Sequence, residues 1–136
     1  MAELIRHKTA SPQKTSELFK RMVFNVFIGN TDDHNRNHAF IYSFTTSSWH
    51  LSPAYDITPV NSSRIHDIGI GDRLRLGSIE NLLSQAARFG LNQSKAQQII
   101  TDIAQYTTQW PQLFSQFTNV SEPDIERLKG VIPLIK

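Results

Sequence analysis

The apolar positions of the N-terminal part predict one central helix. Between about Ser16 and Ile28 they recur every three or four residues, in two adjacent series. The two series are Leu18, Met22 and Val26, and Phe19, Val23 and Phe27. This spacing gives a wide apolar face, as expected of a helix that is buried against the rest of its domain. Gly29 and Asn30 follow, and both residue types tolerate the left-handed conformation in which many helices end. The first ten or so residues are expected to form a frayed lead-in.

A polar stretch follows this helix, and the pattern after it predicts a β-hairpin. Residues 31–38 contain no apolar side chain. Residues 39–44 and 49–51 have strand-like composition and are separated by a short turn. Pro53 and Pro59 then bracket an extended segment, because a proline restricts both its own backbone and that of the residue before it. Further along, residues 68–72 suggest a short strand and a tight turn.

The second half of the chain has helical spacing and helix-boundary residues. Ser78 is a suitable N-cap for a helix that reaches Phe89, and Gly90 lies just beyond its end. Another helix is predicted to begin at Asn92 or Ser94. Its apolar positions are Ala96, Ile99, Ile100, Ile103 and Tyr106.

Two further signals complete the predicted fold. Pro111 marks a break or a new helix start, and a last helix opens at Ser121 with an acidic residue, Asp124, three positions after the cap. Gly130 ends that helix. We therefore expect an α+β, mostly α fold, with one hairpin and about five helices, in a single domain that spans residues 1–136.

Composition narrows the class of protein. The 136 residues are 39% hydrophobic and 19% charged, which is typical of a soluble globular domain. No apolar run approaches the roughly 20 residues that span a bilayer, so no membrane partner is expected. The absence of cysteine excludes disulfides, thiolate zinc sites and a cysteine nucleophile, and it is compatible with a cytoplasmic location. The net charge of +2 is scattered, so direct nucleic-acid binding is not expected either.

The polar stretch carries the candidate chemistry. Asp32 and Asn37 are five residues apart, the interval that protein kinases use in the catalytic loop. Such a loop must aim a carboxylate at the substrate hydroxyl and an amide oxygen at a magnesium ion. A further oxygen ligand is also needed, and Asp56, after the hairpin and between the two prolines, occupies the corresponding place.

These residues resemble the HipA family of bacterial Ser/Thr protein kinases. The family pattern is Asp-x-His-x-(Lys/Arg)-Asn, a hairpin, and then Pro-x-Tyr-Asp. The matching positions are Asp32, His34, Arg36, Asn37, Pro53, Tyr55 and Asp56. The similarity extends from about Thr15 to the end, although the helical tail resembles the family less specifically than the loop does. It implies the carboxyl-terminal, catalytic-loop portion of a kinase C-lobe.

The resemblance also implies a role for each matched residue. Asp32 would be the catalytic base or would orient the substrate hydroxyl, and Asn37 and Asp56 would bind Mg²⁺ beside ATP. His34 would brace the loop by bonding backbone. Arg36, where the family also has lysine, would contact the phosphoryl group or the substrate. Asp33 lacks the five-residue interval and is assigned no catalytic role.

The sequence does not contain the residues that hold the rest of ATP. No glycine-rich phosphate loop precedes Asp32. The expected function is therefore the catalytic portion of a HipA-like toxin kinase that phosphorylates a protein substrate, with the ATP-anchoring half missing and little activity alone. The alternative is a non-catalytic module that binds an antitoxin or a complementary kinase half.

A third possibility is a metal hydrolase. His34 and His38 are four apart, a spacing at which two histidines on one helix can share a zinc ion. This stretch leaves a helix and enters a strand, however, so the spacing does not have that meaning here. The remaining histidines, His7, His50 and His66, are expected on the surface or on a strand face.

Overall fold

The computed structural model describes residues 12–60 and 63–132, and the predicted lead-in lies outside them. Within these ranges the chain forms five α-helices and one two-stranded antiparallel sheet, so the α+β, mostly α prediction is confirmed. The helices are α1 (Pro12–Ile28), α2 (Ile79–Ser84), α3 (Gln93–Thr107), α4 (Trp110–Phe114) and α5 (Glu122–Lys129). The strands are β1 (Phe40–Ser43) and β2 (Ser48–Leu51). None of the described helices combines the length and apolar character needed to cross a membrane.

Helix α1 is the centre of the core, as its wide apolar face predicts. It packs against α3 and against a short 3₁₀ helix, Ala86–Phe89. The rings of Phe19 and Phe89 meet edge to face, with centroids 5.2 Å apart. Both predicted series are buried or half-buried, and the helix begins about one turn before the predicted start.

The hairpin lies beside this core, and its turn between β1 and β2 points away from the core. Phe40 pairs with Leu51, and both pack against the core. Further out, Tyr42 pairs with Trp49, and their rings meet edge to face at 5.3 Å. Because Ser52 follows directly and its N–H donates to the carbonyl of Ala39, the hairpin delivers the next segment back to the polar loop.

Helices α2, α3 and α5 begin at the predicted caps, but the single helix predicted from Ser78 to Phe89 is divided into α2 and the 3₁₀ helix Ala86–Phe89. Ser78, Asn92 and Ser121 each accept a hydrogen bond from the third backbone N–H after them. Gly90 has a left-handed φ of 72°, which a side chain would strain. The stripe assigned to α3 is correct up to Ile103 and wrong at its end. Tyr106 is 70% exposed there.

The segment before α2 differs from its prediction. No strand forms at residues 68–70, although a tight turn does form where the isolated pair Gly71 and Leu74 meets. Asn81 holds the turn that follows residues 68–70. Its side chain accepts from the Arg73 N–H at 2.7 Å and donates to the Leu76 carbonyl at 2.6 Å. This buried amide therefore satisfies backbone groups of the turn directly before α2.

Candidate functional site

The polar loop begins where α1 ends. Gly29 has a φ of 73°, and the Asn30 N–H then donates to the Asn25 carbonyl at 2.9 Å. The Asn30 side-chain amide donates to the side-chain oxygen of Asn25 at 3.2 Å, and both side chains are buried. Asn25, which interrupts the apolar face of α1, is therefore a polar anchor for the loop. The loop ends in a 3₁₀ turn, Asn35–Asn37.

Two of the predicted metal ligands are in direct contact. The side-chain amide of Asn37 donates to Oδ2 of Asp56 at 2.6 Å, although 19 residues separate them. The Asn37 side-chain oxygen accepts from the His34 N–H at 3.3 Å, which fixes the amide within the loop. Asn37 is buried and Asp56 is exposed. The pair therefore has one side fixed in the protein and one side open to solvent.

The segment that carries Asp56 is tied to α1 and to the loop from several directions. Arg21 donates to the Ser52 carbonyl at 2.6 Å, and the Val60 N–H donates to the Gly29 carbonyl at 3.1 Å. Between these points, Tyr55 OH donates to the Arg36 carbonyl at 2.6 Å. These contacts hold residues 52–60 against the loop without secondary structure.

Asp56 itself has a left-handed backbone, with a φ of 56°. This conformation is uncommon for residues other than glycine, although Asp and Asn tolerate it better than most. Asn30 supports it, since its side-chain amide lies 3.4 Å from the Asp56 carbonyl oxygen. Backbone conformations of this kind are concentrated at functional sites.

The other predicted site residues are arranged differently. Asp32 and Arg36 are exposed, and neither side chain has a hydrogen bond or ion pair within residues 12–60 and 63–132. The His34 imidazole is half-buried, and its Nδ1 has no partner in the same part of the chain. His34 thus braces the loop through its backbone N–H, whereas the predicted contribution of its imidazole stays a prediction.

A model of the HipA-like C-terminal domain matches residues 1–110 of the sequence. The chain belongs to this family. The matched range contains the polar loop, the hairpin and Asp56, and it ends at the first residue of α4. A comparison with curated proteins gives no match.

Within this HipA-like domain the residues present suit a magnesium ion that is shared with a nucleotide. Mg²⁺ commonly takes one or two protein oxygen ligands and completes its coordination with water and substrate phosphates. The Asp56 carboxylate is exposed, and the Asn37 amide adjoins it. Among the described residues there is no group of three or more His, Cys, Asp or Glu that could hold a metal. In the present contact the Asn37 N–H faces Asp56 and the Asn37 oxygen accepts from His34, so the amide must rotate before its oxygen can join Asp56 at a metal. With that rotation, the two-residue pair fits a metal bound jointly with phosphates better than one bound by protein alone.

The domain also contains a polar contact that the sequence did not reveal. The Asp33 and His38 side chains form a buried pair, with Oδ1 and Nε2 2.9 Å apart. On one side they line a pocket of about 300 Å³, whose walls include Met22, Ile68 and Phe89. One feature of the sequence could have indicated this buried pair. The loop joins two buried elements and contains no apolar residue, so any side chain that it buries must be polar.

His66 is a second correction. Predicted on the surface or on a strand face, it is 1% exposed. Burial lowers the pKa of its imidazole below the ordinary value of 6.5, and a hydrogen bond to the Asn30 backbone and the nearby carboxylates of Asp33 and Asp67 oppose that shift less strongly. A Cβ added at Gly77 would lie 2.7 Å from His66 Nε2, so the imidazole occupies space that only glycine leaves free.

Proposed function

We propose that this domain supplies the catalytic loop and the magnesium ligands of a HipA-like Ser/Thr protein kinase, which transfers the γ-phosphoryl group of ATP to a protein hydroxyl. The observation that carries the proposal is the Asn37–Asp56 contact at 2.6 Å. Two residues 19 positions apart meet at the end of a catalytic-type loop, and Asp56 has a left-handed backbone that aspartate tolerates. A turn that served only to reverse the chain would not require a contact between residues so far apart in sequence.

Each residue has a distinct task in this proposal. Asp32, exposed and without a partner in the described part of the chain, accepts or orients the proton of the substrate hydroxyl. Asp56 and Asn37 would hold Mg²⁺, and Asn37 would do so after its amide rotates, because its N–H now faces Asp56 and its oxygen faces the His34 N–H. The ion would supply positive charge to the phosphates. Arg36, also exposed, offers a permanent positive charge to the phosphoryl group or to the substrate. The His34 N–H keeps the Asn37 amide in place.

The remaining contacts to ATP come, in this proposal, from elements beyond the 136 residues, on the same polypeptide or on another. The toxin role and the pairing with a DNA-binding antitoxin are likewise proposed from family membership. A reaction with a protein substrate suits the open side of the site, because an entering Ser or Thr hydroxyl must reach Asp32 from solvent.

A non-catalytic interaction module is the second candidate, and a specific surface favours it. Tyr42, Phe44 and Trp49 form an aromatic group at the outer end of the hairpin, and Phe44 is 88% exposed. Exposed apolar side chains that adjoin one another often mark an interaction site. A protein partner could bind there whether or not the loop is active.

The test is binding of Mn²⁺ in the presence and absence of ATP, followed by electron paramagnetic resonance, with Mg²⁺·ATP thermal shifts as a second measurement. We expect the chain to bind Mn²⁺ only with ATP, and beyond the binding that ATP shows without protein, because the two ligands need the phosphates to complete the coordination. This binding should be weak and require a high ATP concentration, since the proposal places the other contacts to ATP on further elements. Asp56→Ala should abolish that binding. The matched control, Asp102→Ala, removes an exposed carboxylate on α3 that contacts only Gln98 among the described residues, and it should change nothing. Equal ATP-dependent binding in wild type and Asp56→Ala would contradict the proposal.

A further inference from the structure

The Asp33–His38 pair lies in the catalytic loop but outside the family pattern. The pattern given above names positions 32, 34, 36 and 37 and does not name 33 or 38. In this chain both side chains are only 6% exposed, and Asp33 Oδ1 lies 2.9 Å from His38 Nε2. His38 Nδ1 has no partner among the described residues, so the contact with Asp33 is the one hydrogen bond that the imidazole makes there.

The pair closes the loop around the proposed site residues. Asp33 directly follows Asp32, and His38 directly follows Asn37, so the contact joins the two ends of the stretch that carries the chemistry. On the side towards Tyr55, a small void is lined by Asp33, His38 and Asn37 together. Asn37 is thus adjacent to the pair both along the chain and in space.

The energetics make this contact sensitive to loss of either member. A buried carboxylate without its partner keeps the cost of leaving water and loses the attraction that offset it. The loop must then rearrange to hydrate Asp33. Because Asp33 and Asn37 are in the same short loop, a rearrangement at one end displaces the other.

We propose that Asp33 and His38 are positioning residues that set the Asn37 amide against Asp56. Any effect of this pair on catalysis rests on the proposed kinase function. The dependence of the Asn37–Asp56 contact on the Asp33–His38 contact does not. Asp33 touches neither substrate nor metal in this assignment. It acts through the shape of the loop, and its role is specific to chains that have an acid and a histidine at these two positions.

The experiment follows the side-chain amide of Asn37 by ¹H–¹⁵N nuclear magnetic resonance on the wild-type chain. This signal is assigned by its loss in Asn37→Ser. Its position when the hydrogen bond to Asp56 is absent is then calibrated with Asp56→Ala. Any variant that breaks the Asn37–Asp56 contact should move the signal to the calibrated position.

His38→Leu removes the partner of Asp33 and should move the Asn37 signal at least halfway to the calibrated position. His38→Gln offers an amide N–H near the former Nε2, and it should restore most of the wild-type position. A matched control, Arg73→Gln, breaks the exposed ion pair between Arg73 and Glu80 and should leave the signal unchanged. If His38 had only a general structural role, His38→Gln would not restore the Asn37 signal while Arg73→Gln left it unchanged.

If His38→Leu fails to fold, His38→Asn takes its place, because its shorter amide is polar but does not reach Asp33. The signal should be displaced there as well. A folded His38→Leu or His38→Asn whose Asn37 signal stays at the wild-type position would overturn the inference. Equal ATP-dependent Mn²⁺ binding in wild type and Asp56→Ala would contradict the kinase proposal alone, since the signal is read without nucleotide.

Discussion

The helical core and the catalytic-type loop are held together by different forces. In the core, Phe19, Val23, Leu82 and Ala96 are at most 1% exposed, and none of these side chains has a polar atom. In the loop region a few hydrogen bonds, among them the buried contact between Asp33 and His38, hold nine polar residues, 30–38, against an extended segment. Stability thus resides mainly in one region, and the proposed chemistry in the other.

This difference predicts whether a substitution should change stability or activity. Loss of apolar volume in the core should lower the free energy of unfolding without a specific effect on the site. Loss of an exposed site residue should remove activity and leave the fold intact. Asp33 and His38 are the exception, because they lie in the loop and yet are as buried as core residues.

The largest expected effect is on activity and concerns Asp32. Asp32→Asn removes the proposed base, a contribution of about 10²–10⁴-fold in rate. The variant should keep its free energy of unfolding within about 0.5 kcal/mol, because the side chain is exposed and has no partner in the described part of the chain. The rate is measured as phosphoryl transfer from γ-labelled ATP, by the chain alone or combined with the elements that complete ATP binding. The free energy of unfolding is measured by urea denaturation.

Asp67→Asn is the matched control, since it changes an exposed carboxylate outside the loop. Retained transfer in Asp32→Asn would remove the assignment of the base. A large loss of stability in that variant would break the comparison instead, because it would show that the loop's exposed acid also supports the fold.

The next effect is on stability and concerns the core. Phe19→Ala should lower the free energy of unfolding by about 3–5 kcal/mol, because it leaves a cavity and removes the edge-to-face contact with Phe89. Phe44→Ala makes the same change at a ring that is 88% exposed and should cost at most about 1 kcal/mol. Chemical denaturation of both variants gives the difference. Equal costs would refute the division between core and hairpin end.

The pH dependence of stability tests the boundary between the two regions, where His66 is buried. Its pKa is lowered in the folded state by burial, so the unfolded chain takes up the proton more readily. The stability that this group provides is fully present above the unfolded value of 6.5 and is lost as the pH falls below it. Unfolding free energies measured between neutral and mildly acidic pH should therefore decrease less in His66→Gln than in wild type.

His50→Gln is the control for this series, because His50 bonds only the hydroxyls of Thr46 and Ser48 in the described part of the hairpin. Its slope should equal that of the wild type. A wild-type slope in His66→Gln would mean that other groups account for the pH dependence.

The smallest expected effect concerns the last helices. Neither α4 nor α5 has a buried residue, and Leu113 is 50% exposed. Leu113→Ala should therefore change the free energy of unfolding by about 0.5 kcal/mol or less. Leu82→Ala on α2, where the side chain is fully buried, should cost about 2–5 kcal/mol. A large effect at Leu113 in thermal or urea unfolding would extend the core beyond α3.

The fold could be predicted where local signals and periodicity agree. The face of α1, the hairpin and the caps at Ser78 and Ser121 depend on residues close in sequence, and the structure confirms them. The interval from Asp32 to Asn37 predicted a catalytic-type loop, and the geometry adds the contact of Asn37 with Asp56.

The failures concern contacts between distant residues. His66 is buried because Gly77 and the end of α1 leave space for it, and nothing near it in sequence indicates that space. The segment before α2 has no strand at residues 68–70, where the Ile70 N–H donates to the Leu74 carbonyl within the turn. Asn81, later in the chain, bonds that turn at Arg73 and Leu76. The Asp33–His38 pair was not predicted, because the five-residue interval to Asn37 identified Asp32 and no role was assigned to Asp33.

The left-handed backbone of Asp56 limits which amino acids natural variation can offer at that position. Glycine, asparagine and aspartate adopt a φ near 56° at low cost, and branched or bulky residues do not. Of these three, only aspartate combines tolerance of the conformation with a charged oxygen donor. The backbone therefore limits the replacements at position 56 whether or not a metal binds there, and a relative without the carboxylate should most often have asparagine or glycine at this position.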